Sequence, residues 1–234
     1  MIKIIGIGGC GNNILEYIKK QDFANIENDY EFISVKNSSD INSIEYKEED
    51  KIFTIAGFGG NTAGKLTIDL TKKIVDKHYQ VKNLIIFPFS YETRNKQAIH
   101  AIEELSSIHR NIEIFPNDTL SNKDNKDKTM AELMKMYDSK IFDTITIHDK
   151  RQFHRSFIVS AKKDDKAYTA VVHFWSKDIQ ITLLEPEFKI LDSSHMPFVA
   201  PSRFAFAGED KSIGSIQNVE LIGQNILEEY IKGL

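Results

Sequence analysis

Cysteine is almost absent from this chain: Cys10 is the only one, so no disulfide can close within it, which fits a reducing cytosol. Long apolar runs are missing too. The longest, such as 84–89, falls far short of the roughly 20 residues that a membrane-spanning helix needs, so no membrane insertion is expected. Basic clusters with interleaved aromatics are also lacking. Lys and Arg number 30 against 34 acids, for a net charge of −4, and a nucleic-acid partner therefore has no electrostatic footprint. The opening Met1-Ile2-Lys3-Ile4-Ile5-Gly6 reaches glycine with neither a basic leader nor a long apolar core, and no signal peptide is expected. Together these absences predict a soluble, cytoplasmic protein. What is present is an ordinary globular balance, 41% hydrophobic and 27% charged over 234 residues, enough for one large domain or two small ones.

The two halves read differently. Over 1–147, short β-branched runs (2–7, 31–35, 52–56, 84–87, 112–115) alternate with helical patterns, one through Ile14, Leu15 and Ile18 and others over 62–77, 93–108 and 129–145. Strands separated by helices of that length pair in parallel through right-handed crossovers, so an α/β, doubly wound, mostly parallel sheet is predicted. Over 156–234 the runs 156–161, 168–175, 179–184 and 188–191 are joined by short turns, the first being Lys162-Lys163-Asp164-Asp165-Lys166, and antiparallel hairpins are expected. A loop with Pro197 and Pro201, a short strand at 204–207 and a helix over 216–231 complete a small α+β C-terminal domain. Phe174, Trp175 and Phe188 are expected to pack in its core. The polar stretch 121–128 reads as a solvated loop.

Two glycine-rich stretches carry the candidate chemistry. Gly6-Ile7-Gly8-Gly9-Cys10-Gly11-Asn12-Asn13 follows a strand and opens a helix, as does Gly57-Phe58-Gly59-Gly60-Asn61-Thr62-Ala63-Gly64-Lys65. Glycine lets the backbone approach a phosphate, and the free N–H groups of a helix start point at it. An NAD-type turn would also want an acid at the end of the second strand; that strand ends in Val35-Lys36-Asn37-Ser38-Ser39, with Asp40 a few residues late. Gly59 to Lys65 satisfies part of the P-loop pattern, but Leu66 stands where a magnesium-binding Ser or Thr belongs. Thr67 is one residue too far. An ATP- or NAD-binding α/β protein stays as an alternative.

Two further stretches keep order and spacing with these loops: Pro88-Phe89-Ser90-Tyr91-Glu92-Thr93-Arg94-Asn95-Lys96-Gln97-Ala98 after one strand, and Ile112-Glu113-Ile114-Phe115-Pro116-Asn117-Asp118 containing the next. With the two glycine loops, they resemble FtsZ, the bacterial relative of tubulin, over roughly the first 60% of the chain. The resemblance implies a bound GTP or GDP, with magnesium accompanying a triphosphate. It implies phosphate contacts by Gly8, Gly9, Cys10, Gly11, Asn12 and Asn13 and by Gly59, Gly60, Asn61, Thr62 and Ala63. Glu92 would hold the ribose, Lys96 and Asn117 would line the same pocket, and Asp138 would read the guanine base. A carboxylate suits that last task because it accepts from both N–H donors on guanine's edge.

Departures from the family bear on activity. The segment 37–51 is short, polar and acidic where the family has a long insertion with another phosphate loop. The stretch Thr146-Ile147-His148-Asp149-Lys150-Arg151-Gln152-Phe153-His154-Arg155 is basic where the family has the acids that serve the nucleotide of the next subunit. Slow or absent hydrolysis is therefore expected, with no catalytic residue assigned. His148, Asp149 and His154 lack further ligands at recognisable spacing, and no side-chain metal site is expected. Asn61, Ala63 and Cys10 replace glycines of the family pattern. No counterpart of the linker and terminal peptide by which FtsZ recruits division proteins is expected. A shortened FtsZ-like nucleotide-binding protein is expected, associating with itself or another FtsZ-family protein in a filament or in regulation of cell division. A polymerising GTPase is the alternative.

Overall fold

The computed structural model describes residues 1–21, 30–121, 125–146, 154–175, 178–185, 189–195 and 213–233. The chain divides into two compact units, Met1–His148 and Asp149–Leu234.

In the first unit, β1 (Ile2–Ile7), α1 (Gly8–Ile18), β2 (Tyr30–Val35), α2 (Ser38–Asn42), β3 (Lys51–Gly57), α3 (Asn61–Val75), β4 (Gln80–Phe87), α4 (Asn95–Ile108), β5 (Ile112–Pro116) and α5 (Met130–Thr146) follow one another, with a 3-10 turn at Asn117–Ser121. The five strands form one parallel sheet in the order β2-β1-β3-β4-β5. This is the doubly wound sheet expected. Every residue of β1 is buried, as a strand covered on both faces requires. Alternation of side chains sorts the two faces. Ile4, Ile55, Leu84 and Ile86 join Ile14, Leu15 and Ile18 of α1 and Leu133, Tyr137, Ile141 and Ile145 of α5 in one apolar core. On the other face, Thr54 of β3 and Thr71 of α3 both donate to Asn83 Oδ1 of β4, at 2.7 and 3.0 Å, so α3 covers that side.

The register places the functional edge. Ile7 pairs with both Val35 and Ala56, Gly57 with Ile86, and Phe87 with Pro116. The strands end nearly flush, and the segments that leave them share one edge of the sheet. The order reverses between β1 and β3, the crevice where open α/β sheets bind ligands.

Several elements differ in extent from the sequence reading. β4 begins at Gln80 rather than 84, because Lys82 and Asn83 interrupt the apolar pattern yet are paired inside the fold. The polar segment after β2 contains α2, nucleated by a capping box in which the Asn37 side chain accepts from Ser39 and Asp40 N–H while Asp40 reaches back. Asp40 Oδ2 thereby accepts from the N–H groups of Lys36 and Asn37, at 2.7 and 3.0 Å, and those bonds hold its carboxyl below the usual range.

The second unit is an antiparallel sheet of β6 (His154–Lys163), β7 (Lys166–Trp175), β8 (Asp178–Glu185) and β9 (Lys189–His195) in sequential order, with α6 (Ile213–Lys232) packed on it. Asp164 and Asp165 both take positive φ, 49° and 61°, the geometry of a two-residue hairpin turn. Leu227 and Ile231 of α6 bury against Val159, Tyr168, Ala170, Val172, Ile181 and Leu183. Gly223 permits the close approach, since a Cβ there would meet Val172 Cγ2 at 2.2 Å. The expected strand at 204–207, the loop with Pro197 and Pro201, Phe188, and the side chains of Phe174 and Trp175 lie outside the described residues.

Candidate functional site

The segments after β1 and β3 meet. Gly8 opens α1 with φ +69°, and a Cβ built on it would lie 3.0 Å from Ala63 Cβ in the first turn of α3. Cys10 lies against Gly57 at the end of β3, where an added Cβ would come within 2.7 Å of Cys10 Cβ. Neither α1 nor α3 has a side-chain cap or an acid in its first turn. By contrast, α2 is capped by Asn37 and Asp40, and the Thr129 hydroxyl and Glu132 carboxylate cap one another's backbone at the start of α5. Unpaired N–H groups and the positive dipole ends of α1 and α3 therefore converge beside the strand-order reversal.

The glycines divide into two kinds. Gly11 serves packing: a Cβ there would sit 2.0 Å from the carbonyl oxygen of Ile55. Gly59 serves backbone conformation, with φ +100° beneath Arg94. Gly9 and Gly60 do neither, for an added Cβ would meet nothing within 4 Å. Both positions, one in the first turn of α1 and one at the N-cap of α3, are open.

The remaining residues sort as follows. Asn12 Nδ2 donates to the carbonyls of Gly8 and Val35, at 2.6 and 3.3 Å, tying α1 to the ends of β1 and β2, while its Oδ1 is buried without a partner. Asn61 and Thr62 are exposed in the first turn of α3. Glu92 Oε1 accepts from Phe89 N–H at 2.9 Å, and Oε2 accepts from Arg94 Nε at 3.0 Å and from its terminal nitrogen. Asn117 begins the 3-10 turn with its Oδ1 buried and unpartnered. Asn13 and Lys96 are exposed on α1 and α4, and nothing described joins their side chains to the others.

Asp138 is half-buried on α5 and makes no hydrogen bond or ion pair among the described residues. Burial pushes its carboxyl up to about 6. Its charge is felt at Cys10, whose thiol is pushed up to about 11 by burial first and the Asp138 carboxylate second, against the opposing charge of Arg94. Cys10 as a residue is open to solvent, while its thiol is the part shielded from it. The charges of Asp138 and Arg94 both reach the Cys10 thiol, which groups these three residues at the carboxyl edge of the sheet. Tyr137 fixes the helix there, its hydroxyl donating to the Pro116 carbonyl at the end of β5 and meeting Thr119 Oγ1 at 3.2 Å.

Three residues joined to this edge were not singled out from the sequence. Asp118 receives the Ser90 N–H at 2.8 Å and the Ser90 hydroxyl at 2.9 Å, locking the segment after β5 to the one after β4. Arg94 crosses Gly59, where an added Cβ would lie 2.9 Å from Arg94 Cβ. Tyr137 anchors the residue next to Asp138. A cation two residues from an acid was a visible signal for Arg94; for the others, only long-range pairing reveals the role. Thr67, weighed as a magnesium ligand, donates instead to the Ala63 carbonyl at 2.8 Å within its own helix. Among the described residues, no group of three or more His, Cys, Asp or Glu could hold a metal, and no helix is long and apolar enough to cross a membrane.

No protein-family model matches the chain. It is similar to a solved structure of CetZ from Methanosaeta thermophila strain DSM 6194, at 13% identity over 61% of this chain and 52% of that one, with a TM-score of 0.48. It is also similar to an FtsZ dimer from M. jannaschii, at 17% identity over 62% and 55% with a TM-score of 0.47. A third is TubZ of Bacillus thuringiensis serovar israelensis in GDP-form protofilaments, at 14% identity over 62% and 51% with a TM-score of 0.46. The chain thus spans about half the length of the structures it matches. The second is an FtsZ, the family that the sequence motifs resemble; at these TM-scores the likeness carries no residue role or activity over to this chain.

Proposed function

We propose that this chain binds a guanine nucleotide, GTP or GDP, at the carboxyl edge of its parallel sheet. The observation that carries the reading is the meeting of two uncapped, acid-free helix starts at Gly8 and Ala63, with Gly9 and Gly60 each open beside its helix start. Such a cradle suits a di- or triphosphate, whose charge the helix ends favour and whose oxygens take the free N–H groups. Asp138 supplies the base preference. Guanine offers two adjacent donors to its carboxylate, and adenine does not. The unpartnered Oδ1 atoms of Asn12 and Asn117 are acceptors available to ligand N–H or O–H groups, and Glu92 takes the ribose hydroxyls. Magnesium accompanies a triphosphate as the counter-ion of its phosphates.

Hydrolysis is slow or absent in this reading. The motif resemblance makes the basic stretch 146–155 the counterpart of the family's catalytic acids; His148 and Asp149 within it lie outside the described residues. The chain then acts by binding, associating with itself or with another FtsZ-family protein in a filament or in the regulation of cell division.

The experiment is identification of the nucleotide released by acid from freshly purified protein, followed by titration with GTP, GDP and ATP. Guanine nucleotide near one per chain is expected, with ATP markedly weaker. Equal affinity for GTP and ATP would defeat the guanine assignment, and no binding of either would defeat the site. Turnover per chain that climbs steeply with protein concentration would favour the polymerising GTPase, since a site shared between subunits works only after assembly.

A further inference from the structure

Arg94 has a place that the fold explains poorly as structure alone. Its position comes from two directions. Its Cβ lies across Gly59 of the second glycine segment, and its charge acts on Cys10 of the first. It is the residue before α4 and supplies no side-chain cap to that helix. More than half of its side chain is exposed, against a fifth of that of Glu92, so the ion pair between them adds little to stability: an exposed pair contributes about 0–1 kcal/mol. The guanidinium is nonetheless held by a two-point fork on Glu92 Oε2. A fork of that kind fits phosphate oxygens as well as it fits a carboxylate.

The charge balance at this edge gives this a direction. Asp138, Glu92 and Asp118 are its acids, and the helix starts of α1 and α3 supply partial positive charge only. Lys65 and Lys96 are exposed on their helices, with no ion pair described for either. A polyphosphate bringing several negative charges therefore meets, next to Gly59, a cation that is already positioned by an acid.

We infer that Arg94 is the residue that recognises the polyphosphate of the bound ligand, with Glu92 as the latch that holds its guanidinium until a phosphate takes it. The inference rests on the nucleotide reading above and deepens it. Ligand entry exchanges one charge-assisted fork for another. The Glu92 Oε2 lone pairs released by Arg94 accept the ribose hydroxyls, and the Phe89 N–H bond to Oε1 keeps the carboxylate in place during the exchange. Ribose and phosphate recognition are thereby coupled through one side chain, and affinity rises with the number of phosphates.

The test measures affinities of the full chain and of Arg94→Ala, Arg94→Lys and Glu92→Gln for guanosine, GMP, GDP, GTP and inorganic tripolyphosphate, with thermal melts to verify folding. Wild type should tighten from guanosine to GTP. Arg94→Ala should lose about tenfold or more for GDP, GTP and tripolyphosphate, as removal of a hydrogen bond to a charged group implies, and stay within about twofold for guanosine. Arg94→Lys should recover part of the loss, having the charge without the fork. Glu92→Gln should weaken guanosine yet tighten tripolyphosphate, because the latch is gone. Equal GTP affinity with and without Arg94 overturns this inference and leaves the nucleotide reading standing. Arg94-dependent binding of tripolyphosphate without preference for guanine overturns the guanine reading and supports this inference. A folded wild type that binds none of the five ligands overturns both.

Discussion

The two ends of the parallel sheet handle their buried charges in different ways. At the amino end, buried charge is paired. Lys3, 4% exposed, lies between Glu31 and Asp50, with Asp50 Oδ2 at 3.6 Å, and Asp50 in turn accepts the Lys47 N–H at 2.8 Å. Toward the same end, Lys82 of β4 pairs with Glu113 of β5 at 2.6 Å. At the carboxyl end, the Oδ1 atoms of Asn12, Asn95 and Asn117 are buried without partners, two helix starts are uncapped, and Asp138 is half-buried and unpaired. Unpaired buried polar groups cost free energy, so the carboxyl end, where the proposed ligand would bind, carries a cost that the paired charges of the amino end do not. Unpartnered atoms are not confined to that end: Asn83 Nδ2 lies within the sheet core and Tyr46 Oη precedes β3.

Substitutions at the two ends break or sharpen this contrast. Lys3→Ala leaves Asp50 buried without its main cation, and unfolding free energy should fall by about 3–5 kcal/mol, the usual consequence of breaking a buried pair. Nucleotide affinity should be unchanged where the variant is folded. A urea titration showing a loss under about 1 kcal/mol would mean the amino-end cluster is surface decoration. Asp138→Ala should reverse the pattern: GDP binding weakens by about 1.5–3 kcal/mol while the melting temperature holds or rises, because an unpaired carboxylate is removed. Calorimetric titration giving the wild-type affinity would remove Asp138 from the site.

A smaller effect separates folding from function at one residue. Gly9→Ala meets no atom of the protein and restricts the unfolded chain, so stability should rise by about 0.4–1 kcal/mol. The new methyl enters the cradle, so affinity for GTP should drop. A stabilised variant with undiminished affinity would show that the ligand does not approach there.

The mildest prediction concerns pH. Asp138 has its folded carboxyl raised from 3.8 to about 6. Its contribution to stability is therefore full below the unfolded value and declines as pH rises through about 6. Binding runs the other way, since guanine needs the ionised form. The ratio of GTP to ATP affinity, in which phosphate titration cancels, should shrink as pH falls below about 6 and become flat in Asp138→Asn. A ratio independent of pH in the wild type would count against the carboxylate as the base reader.

Much of this was legible in the residues. Strand and helix alternation over 1–147 follows from β-branched runs and helical spacing, and the Gly8 and Gly59 segments announce themselves by glycine placed between strand and helix. Their meeting was less legible. Gly8 and Ala63 are far apart in the chain, and only the parallel pairing of β1 with β3 brings them together. β4 was read short because Lys82 and Asn83 look like loop residues until Glu113, Thr54 and Thr71 are beside them. Glu92 was read as a ribose ligand with no sign that Arg94 already occupies it, because that pair depends on local backbone geometry that spacing does not specify.

The sequence by itself determined the α/β pattern, the place of the glycines and the identity of the candidate groups, because these depend on periodicity and on conformational freedom within a few residues. Tertiary structure alone decided which polar groups are paired and which are left open. Pairing is set by the strand order and by register, which join residues about 20 to 50 positions apart, and no local preference encodes it.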